Sequence, residues 1–218
     1  MSTADPAEAR PLVLVVDDDE AMRRSSAFLF ASVGLEAQTF ERADALLAAY
    51  PGGDSGRPGC IVLDVRMPGM SGLEVQRVLG ERDCPLPIIL VTGHGDVPMA
   101  VAALKAGAFD FIEKPFKEQH LLDIVDAAIR RSRETIAVAD ARRAVEARFA
   151  RLGKREREVL ERVLEGKPNK VIAFELDLSI KTIEVYRASL MEKMGARSPA
   201  ELAHLVAGYR AAAKTRPA

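Results

Sequence analysis

No apolar run in this 218-residue chain approaches the ~18 residues that a membrane-spanning helix needs. The opening stretch, Met1 to Arg10, is acidic and Ala-rich and lacks the apolar core of a secretory signal. A cytoplasmic protein with no membrane partner is therefore expected. Cysteine is scarce: Cys60 and Cys84 are too few and too far apart to suggest a disulfide framework or a zinc site. The three histidines, His94, His120 and His204, form no cluster with ligand spacing. Net charge is also nearly absent, at −1, but this hides an asymmetry. Up to Arg130 there are 12 Lys and Arg against 20 Asp and Glu (−8); from Arg131 onward there are 19 against 12 (+7). An acidic half joined to a basic half implies different partners, with nucleic acid the natural one for the basic half.

The first half alternates short apolar runs with helical patterns. Strands are predicted over 12–16, 36–40, 60–64, 87–91 and 108–112, and continuous apolar runs suit strands covered on both faces. Helices are predicted over Glu20 to Val33, Glu41 to Ala49, Ser71 to Leu79 and Val97 to Ala106, with Gly34 and Gly107 as terminators. The loop Pro51 to Gly59 reads as a solvent-exposed connection. Five βα units of this size predict an α/β fold, a five-stranded doubly wound parallel sheet. The carboxyl edge of such a sheet lines one ligand-binding crevice. Four runs end there in polar groups: Asp17 and Asp18, Asp64, Thr92, and Lys114.

Three carboxylates, a hydroxyl and an ammonium suit a divalent cation and a phosphoryl group. Magnesium takes oxygen ligands, typically one or two carboxylates plus water and phosphate. Asp18 and Asp64 would bind Mg²⁺ directly, Asp17 partly through water, and the backbone carbonyl of Arg66 would complete the protein share. Asp64 is the candidate nucleophile, since a carboxylate attacking phosphorus gives an aspartyl phosphate. Lys114 would pair with one phosphoryl oxygen and Thr92 would hydrogen-bond another.

These pieces carry a resemblance. Val15-Val16-Asp17-Asp18, Asp64-Val65-Arg66-Met67-Pro68-Gly69-Met70-Ser71-Gly72, Thr92-Gly93-His94-Gly95 and Lys114-Pro115-Phe116 resemble a two-component receiver domain, the CheY-like fold. The run Thr92 to Phe116 resembles the FixJ subgroup. The resemblance implies that Asp64 accepts phosphate from a sensor histidine kinase. It further implies that Thr92 follows the phosphate inward, that Phe111 turns with it, and that Lys114 contacts the phosphate and precedes a bond to proline that is often cis.

Phe116 to Leu152 contains neither glycine nor proline and reads as a long helix. Leu122, Val125, Ile129 and Ile136 form one apolar series, suited to covering the sheet. Val138, Val145, Phe149 and Leu152 form a second, out of phase, suited to a partner copy or the C-terminal domain. Beyond this the pattern is all-α with four helices: Lys154 to Glu165, Asn169 (as cap) to Leu176, Ser179 (as cap) to Met194, and a fourth opened by Ser198-Pro199. Two short helices around the Asp177-Leu178 turn make a helix-turn-helix, whose second member enters the major groove.

On that recognition helix Lys181, Thr182, Glu184 and Arg187 fall on the first turns, where side chains reach base edges or phosphates. Lys170 is a phosphate candidate, and Glu184 would accept from cytosine or orient Arg187. Ile172, Leu176, Leu178, Ile183, Leu190 and Met194 read as core. Arg155 to Leu160, Asn169 to Ala173 and Ser179 to Arg187 resemble the LuxR-type four-helix DNA-binding domain of the FixJ/NarL family. Two positions depart from that family. Gly153 stands where Ser or Thr usually begins a capping box with Glu156, and Tyr186 stands where histidine is common.

The expected organisation is a receiver over 10–130, a helical linker over 131–149 and a helix-turn-helix domain over 150–211. A homodimer formed on phosphorylation through Val101, Leu104 and Lys105 would place two recognition helices on promoter double-stranded DNA. The resemblance implies activation by recruiting RNA polymerase. Two other readings stand beside it. One is a DNA-binding regulator independent of phosphorylation. The other is an aspartate-nucleophile phosphatase, opposed by Arg66, which occupies the place where such enzymes carry an acid/base aspartate.

Overall fold

The apolar runs become the strands of one parallel sheet. In the computed structural model, which describes residues 9–51, 57–93 and 97–214, these are β1 (Leu12–Val16), β2 (Glu36–Phe40), β3 (Gly59–Asp64), β4 (Ile88–Thr92) and β5 (Asp110–Glu113). Residues 1–8, the loop centre 52–56, residues 94–96 (with His94 and Gly95) and residues 215–218 lie outside the described residues. The strand order is β2-β1-β3-β4-β5, all parallel, as a doubly wound sheet requires. β1, β3 and β4 are buried along their whole length because helices cover both faces.

β2 does not fit the expectation of a strand covered on both faces. It is an edge strand paired only with β1, mostly exposed, with Phe40 its one buried side chain. β4 begins one residue later than expected, since Pro87 has no N–H and offers only its carbonyl, to Ile61. β5 begins at Asp110 rather than Ala108, because Ala108 N–H is taken by the Ala103 carbonyl behind Gly107, whose φ is +96°.

One face of the sheet packs against α2 (Ala43–Ala49), α3 (Gly72–Glu81) and α4 (Val97–Lys105), with Leu46, Val75, Leu79 and Ala103 in the core. α2 starts at Ala43, not Glu41, because Arg42 is extended. α3 gains a capping box that the sequence reading missed, in which Ser71 accepts from Glu74 N–H and the Glu74 carboxylate accepts from Ser71 N–H. The other face packs against α1 (Glu20–Ser32), through Phe30, and α5 (Glu118–Ala150). The buried stripe of α5 is Leu121, Ile124, Val125, Ala128, Ile129 and Ser132, so Leu122 and Ile136 lie only at its margin. Ser132 is itself fully buried and accepts from Gly59 N–H at the start of β3, 3.1 Å away.

The chain divides into two compact units between Ala137 and Val138. The second contains the end of α5 and four further helices: α6 (Lys154–Leu164), α7 (Asn169–Leu176), α8 (Ile180–Met194) and α9 (Pro199–Lys214). Ile172, Ile183, Leu190, Met194, Leu202 and Val206 form its centre, with Leu176 and Leu178 packed against them. Leu152 lies in this core and Phe149 stacks on Tyr209, so the second apolar series of the long helix serves the C-terminal unit at these positions; Val138 is exposed. The α7–α8 turn is made by Asp177 in the left-handed region (φ 52°) and by Ser179, which caps α8 by accepting from Thr182 N–H. Asn169 is not a cap. Pro168 holds the N-cap position in extended conformation, and its carbonyl accepts from Val171 and Ile172.

Gly153 supplies no side-chain cap to α6, as its identity dictates, but the Glu156 carboxylate still accepts from Gly153 N–H at 2.7 Å. Glu156 is only 6% exposed and also accepts from Ser189 and from Lys193, each at 2.7 Å. The Lys193 ammonium, with Ser189 and Gly153 N–H, pulls its pKa down to about 2.

Because that pKa lies below the ordinary 4.5, the stabilisation is complete above about pH 4.5 and is lost as pH falls toward about 2. Replacing Glu156 with Ala should cost about 1–3 kcal/mol, toward the lower end because Lys193 is more than a third exposed. Native-state hydrogen exchange across α6 and α8 at neutral pH measures this, and unchanged protection would contradict it.

Candidate functional site

The register of the sheet sets the ends of β1 and β3 side by side, with Val16 opposite Leu63. Asp17, just past β1, and Asp64, the last residue of β3, therefore meet although they are far apart in sequence. Both are almost fully buried, at 4% and 6% exposed. Lys114, just past β5, reaches between them, and its Nζ donates to Asp17 Oδ2 and Asp64 Oδ1, both at 2.7 Å. Its own backbone N–H is tied to the Thr92 carbonyl, and the Lys114–Pro115 bond is cis. The second oxygen of Asp64 accepts from Arg66 N–H at 2.7 Å. Thr92 is fully buried at the end of β4, and Phe111 is half-buried on β5, against the core under α4.

The electrostatics are those of two carboxylates sharing one cation. Burial pushes the Asp64 carboxyl above the ordinary aspartate range and the charge of Asp17 adds to this, while Lys114 and Arg66 N–H only partly offset it. Burial works against the Lys114 charge, but the hydrogen bonds to Asp17 and Asp64 overcome it and hold its pKa above the usual lysine value.

Three carboxylates were expected to converge, and two do. Asp18 is exposed, and its carboxylate makes no hydrogen bond among the described residues. Among those residues no group of three or more His, Cys, Asp or Glu is gathered closely enough to hold a metal ion. The two carboxylates that do meet are neutralised by the Lys114 ammonium between them. The donor chemistry nonetheless fits Mg²⁺: all the candidate ligands are oxygens, and two buried carboxylates against one ammonium leave negative charge uncompensated.

Two positioning groups escaped the sequence reading. Asp19 caps α1 by accepting from Ala21 N–H, and its own N–H donates to Asp17 Oδ1. Arg23 donates to the carbonyls of both Asp17 and Asp18, at 2.8 and 2.9 Å, and fixes the acidic turn. The first has a sequence signal, an aspartate directly before a helical pattern. The second has none, since an arginine on an amphipathic helix reads as solvated.

On α4, Val101, Leu104 and Lys105 are exposed, as is Val97 one turn earlier, so the helix presents an apolar stripe. In the C-terminal unit Lys170, Lys181 and Glu184 are exposed, whereas Thr182 and Arg187 are half-buried. The Thr182 hydroxyl is hydrogen-bonded to that of Ser179 at 2.7 Å, so it belongs to the helix cap before any other partner. Glu184 and Arg187 form no ion pair with one another. Tyr186 packs partly against the core, and Val185, which the sequence reading passed over, is 62% exposed on the same turns as Glu184.

A doubly wound sheet with a buried Asp–Lys–Asp cluster at its carboxyl edge, followed by a helix-turn-helix, defines a response regulator. Residues 13–126 match the response regulator receiver domain, and residues 150–206 match the bacterial regulatory proteins of the luxR family. The transcriptional regulatory protein FixJ of Azorhizobium caulinodans is 47% identical over 210 residues, covering 94% of this chain and 97% of that protein. The C4-dicarboxylate transport transcriptional regulatory protein DctR of Rhodobacter capsulatus is 48% identical over 195 residues, covering 88% and 98%. A solved structure of the response regulator StyR covers 92% of this chain and 100% of its own, with 41% identity and a TM-score of 0.86. The chain belongs to the FixJ-type response regulators, with a receiver domain and a LuxR-type DNA-binding domain. That architecture implies a kinase partner and DNA binding, and suits phosphorylation-dependent control of transcription. The relatives are transcriptional regulators rather than enzymes in the ordinary sense.

Lys114→Met should leave two buried carboxylates without a cation. A loss of about 3–5 kcal/mol is expected at neutral pH, with the Asp64 pKa raised further. Because a raised carboxyl pKa makes the folded state gain protons as pH falls, the deficit should shrink at about pH 5. Urea unfolding of both proteins at the two pH values tests this, and a deficit independent of pH would refute it.

Proposed function

We propose that Asp64 accepts a phosphoryl group from the phosphohistidine of a sensor kinase. The P–N bond of the donor breaks as a P–O bond forms at an Asp64 oxygen. The observation that carries this reading is Lys114 Nζ placed 2.7 Å from both Asp64 and Asp17, an ammonium poised to follow charge from a carboxylate to a phosphoryl oxygen. Asp17, Asp18, Asp64 and the Arg66 carbonyl would hold Mg²⁺, which supplies charge neutralisation to the phosphoryl oxygens. Thr92, buried beside the site, would hydrogen-bond the phosphoryl group, and Phe111 would repack with it. The acyl phosphate hydrolyses slowly, so the protein resets itself without turning over external substrates.

Phosphorylation then shifts an equilibrium in the α4 surface. Moving a population from 1:99 to 99:1 takes about 5.5 kcal/mol, which phosphate contacts and a dimer interface at Val101, Leu104 and Lys105 would share. In the dimer two recognition helices meet half-sites about 34 Å apart. Lys170 takes a phosphate, and Lys181, Thr182, Glu184 and Arg187 face bases and backbone. The working divisions are a receiver over 10–130, a linker over 131–149 and a DNA-binding domain over 150–211. The protein acts in the cytoplasm, and promoter binding recruits RNA polymerase.

Acetyl phosphate with Mg²⁺ should double the mass of the wild-type chain in light scattering and leave Asp64→Asn monomeric. Mass that stays monomeric in the wild type, or a dimer in the variant, would count against this reading. For the promoter complex, Arg187→Ala should cost about 1–3 kcal/mol and relax sequence preference, while Lys170→Ala should weaken binding to all sequences and lower the salt slope by about 1. Fluorescence anisotropy across a salt series, on specific and scrambled duplexes, separates the two effects.

A further inference from the structure

α3 joins the acceptor strand to α4 by a path that uses neither Thr92 nor Phe111. Its first residue, Gly72, packs directly on the backbone of Asp64: a Cβ there would come within 2.3 Å of the Asp64 carbonyl oxygen. Gly72 N–H donates to the Val65 carbonyl at 3.0 Å. One turn further along the same buried face stands Gln76, only 3% exposed in an apolar setting. A primary amide in that setting needs a partner, and Gln76 Nε2 donates to the carbonyl of Ala103 on α4, at 2.9 Å.

Most of α4 faces solvent. Ala103 is its one fully buried residue and Met99 packs partly against the same core, while Val97, Val101 and Leu104 face outward. The Gln76 bond is a polar tie from α3 to the buried side of α4, beside the apolar contacts of Ala103 and Met99. The Ala103 carbonyl also accepts from Ala108 N–H, which makes it the hub of the turn leading into β5.

We infer that Gln76 is a positioning residue that latches α4 through the Ala103 carbonyl and couples it, by way of α3, to the backbone of Asp64. The latch holds the arrangement in which both Asp64 oxygens are engaged as a plain carboxylate, one by Lys114 and one by Arg66 N–H. A change at Asp64 that shifts the Gly72 contact strains the latch and frees α4 to meet a second copy. The last step rests on the dimerisation reading given above.

The test uses the full-length chain and two apolar replacements of similar volume, Gln76→Leu and Gln76→Met. Without phosphodonor, the amides of Ala106 and Ala108 should exchange about 5- to 150-fold faster than in the wild type, the range of ordinary coupling energies. Amides in α5 should be unchanged. Self-association by sedimentation should tighten by a similar factor, and adding Val101→Glu should abolish that gain, which loss of structure alone would not produce. Unchanged exchange at Ala106 and Ala108, a rise shared equally by α5, or looser α4 exchange without tighter association in a chain whose wild type dimerises would each overturn the latch. A wild type that stays monomeric with acetyl phosphate and Mg²⁺ would overturn the dimerisation reading alone, and the exchange rates would still decide the latch.

Discussion

The receiver half depends on one ammonium between two buried carboxylates. Asp17 and Asp64 stand at the ends of neighbouring central strands, where little water reaches them, and like charges so placed cannot both ionise without compensation. Lys114 supplies it, from 97 residues away in sequence from Asp17 and 50 from Asp64. The sheet order places β1 and β3 at the centre, and the tie between Lys114 N–H and the Thr92 carbonyl fixes the stem of the lysine. A site that is stable with one cation and two anions is also one whose charge balance changes sharply when a phosphoryl group or a metal ion enters. The same interaction that makes the fold tolerable therefore makes it responsive.

The C-terminal unit meets a different problem with related means. Its core is small, and a helix start that lacks a hydroxyl cap at Gly153 is held instead by Glu156, which collects Gly153 N–H, Ser189 and Lys193. This ties the start of α6 to the middle and end of α8, so the helix that carries Lys181, Glu184 and Arg187 is braced from behind. Arg148 adds to this at the same end, donating to the Met194 carbonyl at the last turn of α8.

Both units leave apolar side chains in water where a packed helix would ordinarily hide them. Val97, Val101 and Leu104 do so on α4, and Val185 does so on α8. Single exposed apolar residues are unremarkable, but a stripe at helical spacing is the kind of surface that the proposed dimer would use. On α8 the exposed valine stands among charged neighbours, the mixture expected of a helix that meets both phosphates and base edges.

The sequence by itself determined what depends on neighbours along the chain. Apolar runs such as Leu12 to Val16 dictated strands, Gly34 and Gly107 ended helices because only glycine takes those left-handed turns without strain, and Ser179 announced its helix. The placing of Asp17, Asp64 and Lys114 at one sheet edge was legible too, since a parallel doubly wound sheet puts every strand end on the same side. Tertiary structure decided the rest. It put β2 at an exposed edge, buried Ser132 and Gln76, left Asp18 in solvent while drawing Asp17 inside, and gave the Thr92 and Thr182 hydroxyls different surroundings. Each of these turns on which distant segment lies opposite a side chain. Local spacing cannot encode that, because it is settled only when the helices pack and every buried polar group has found its partner.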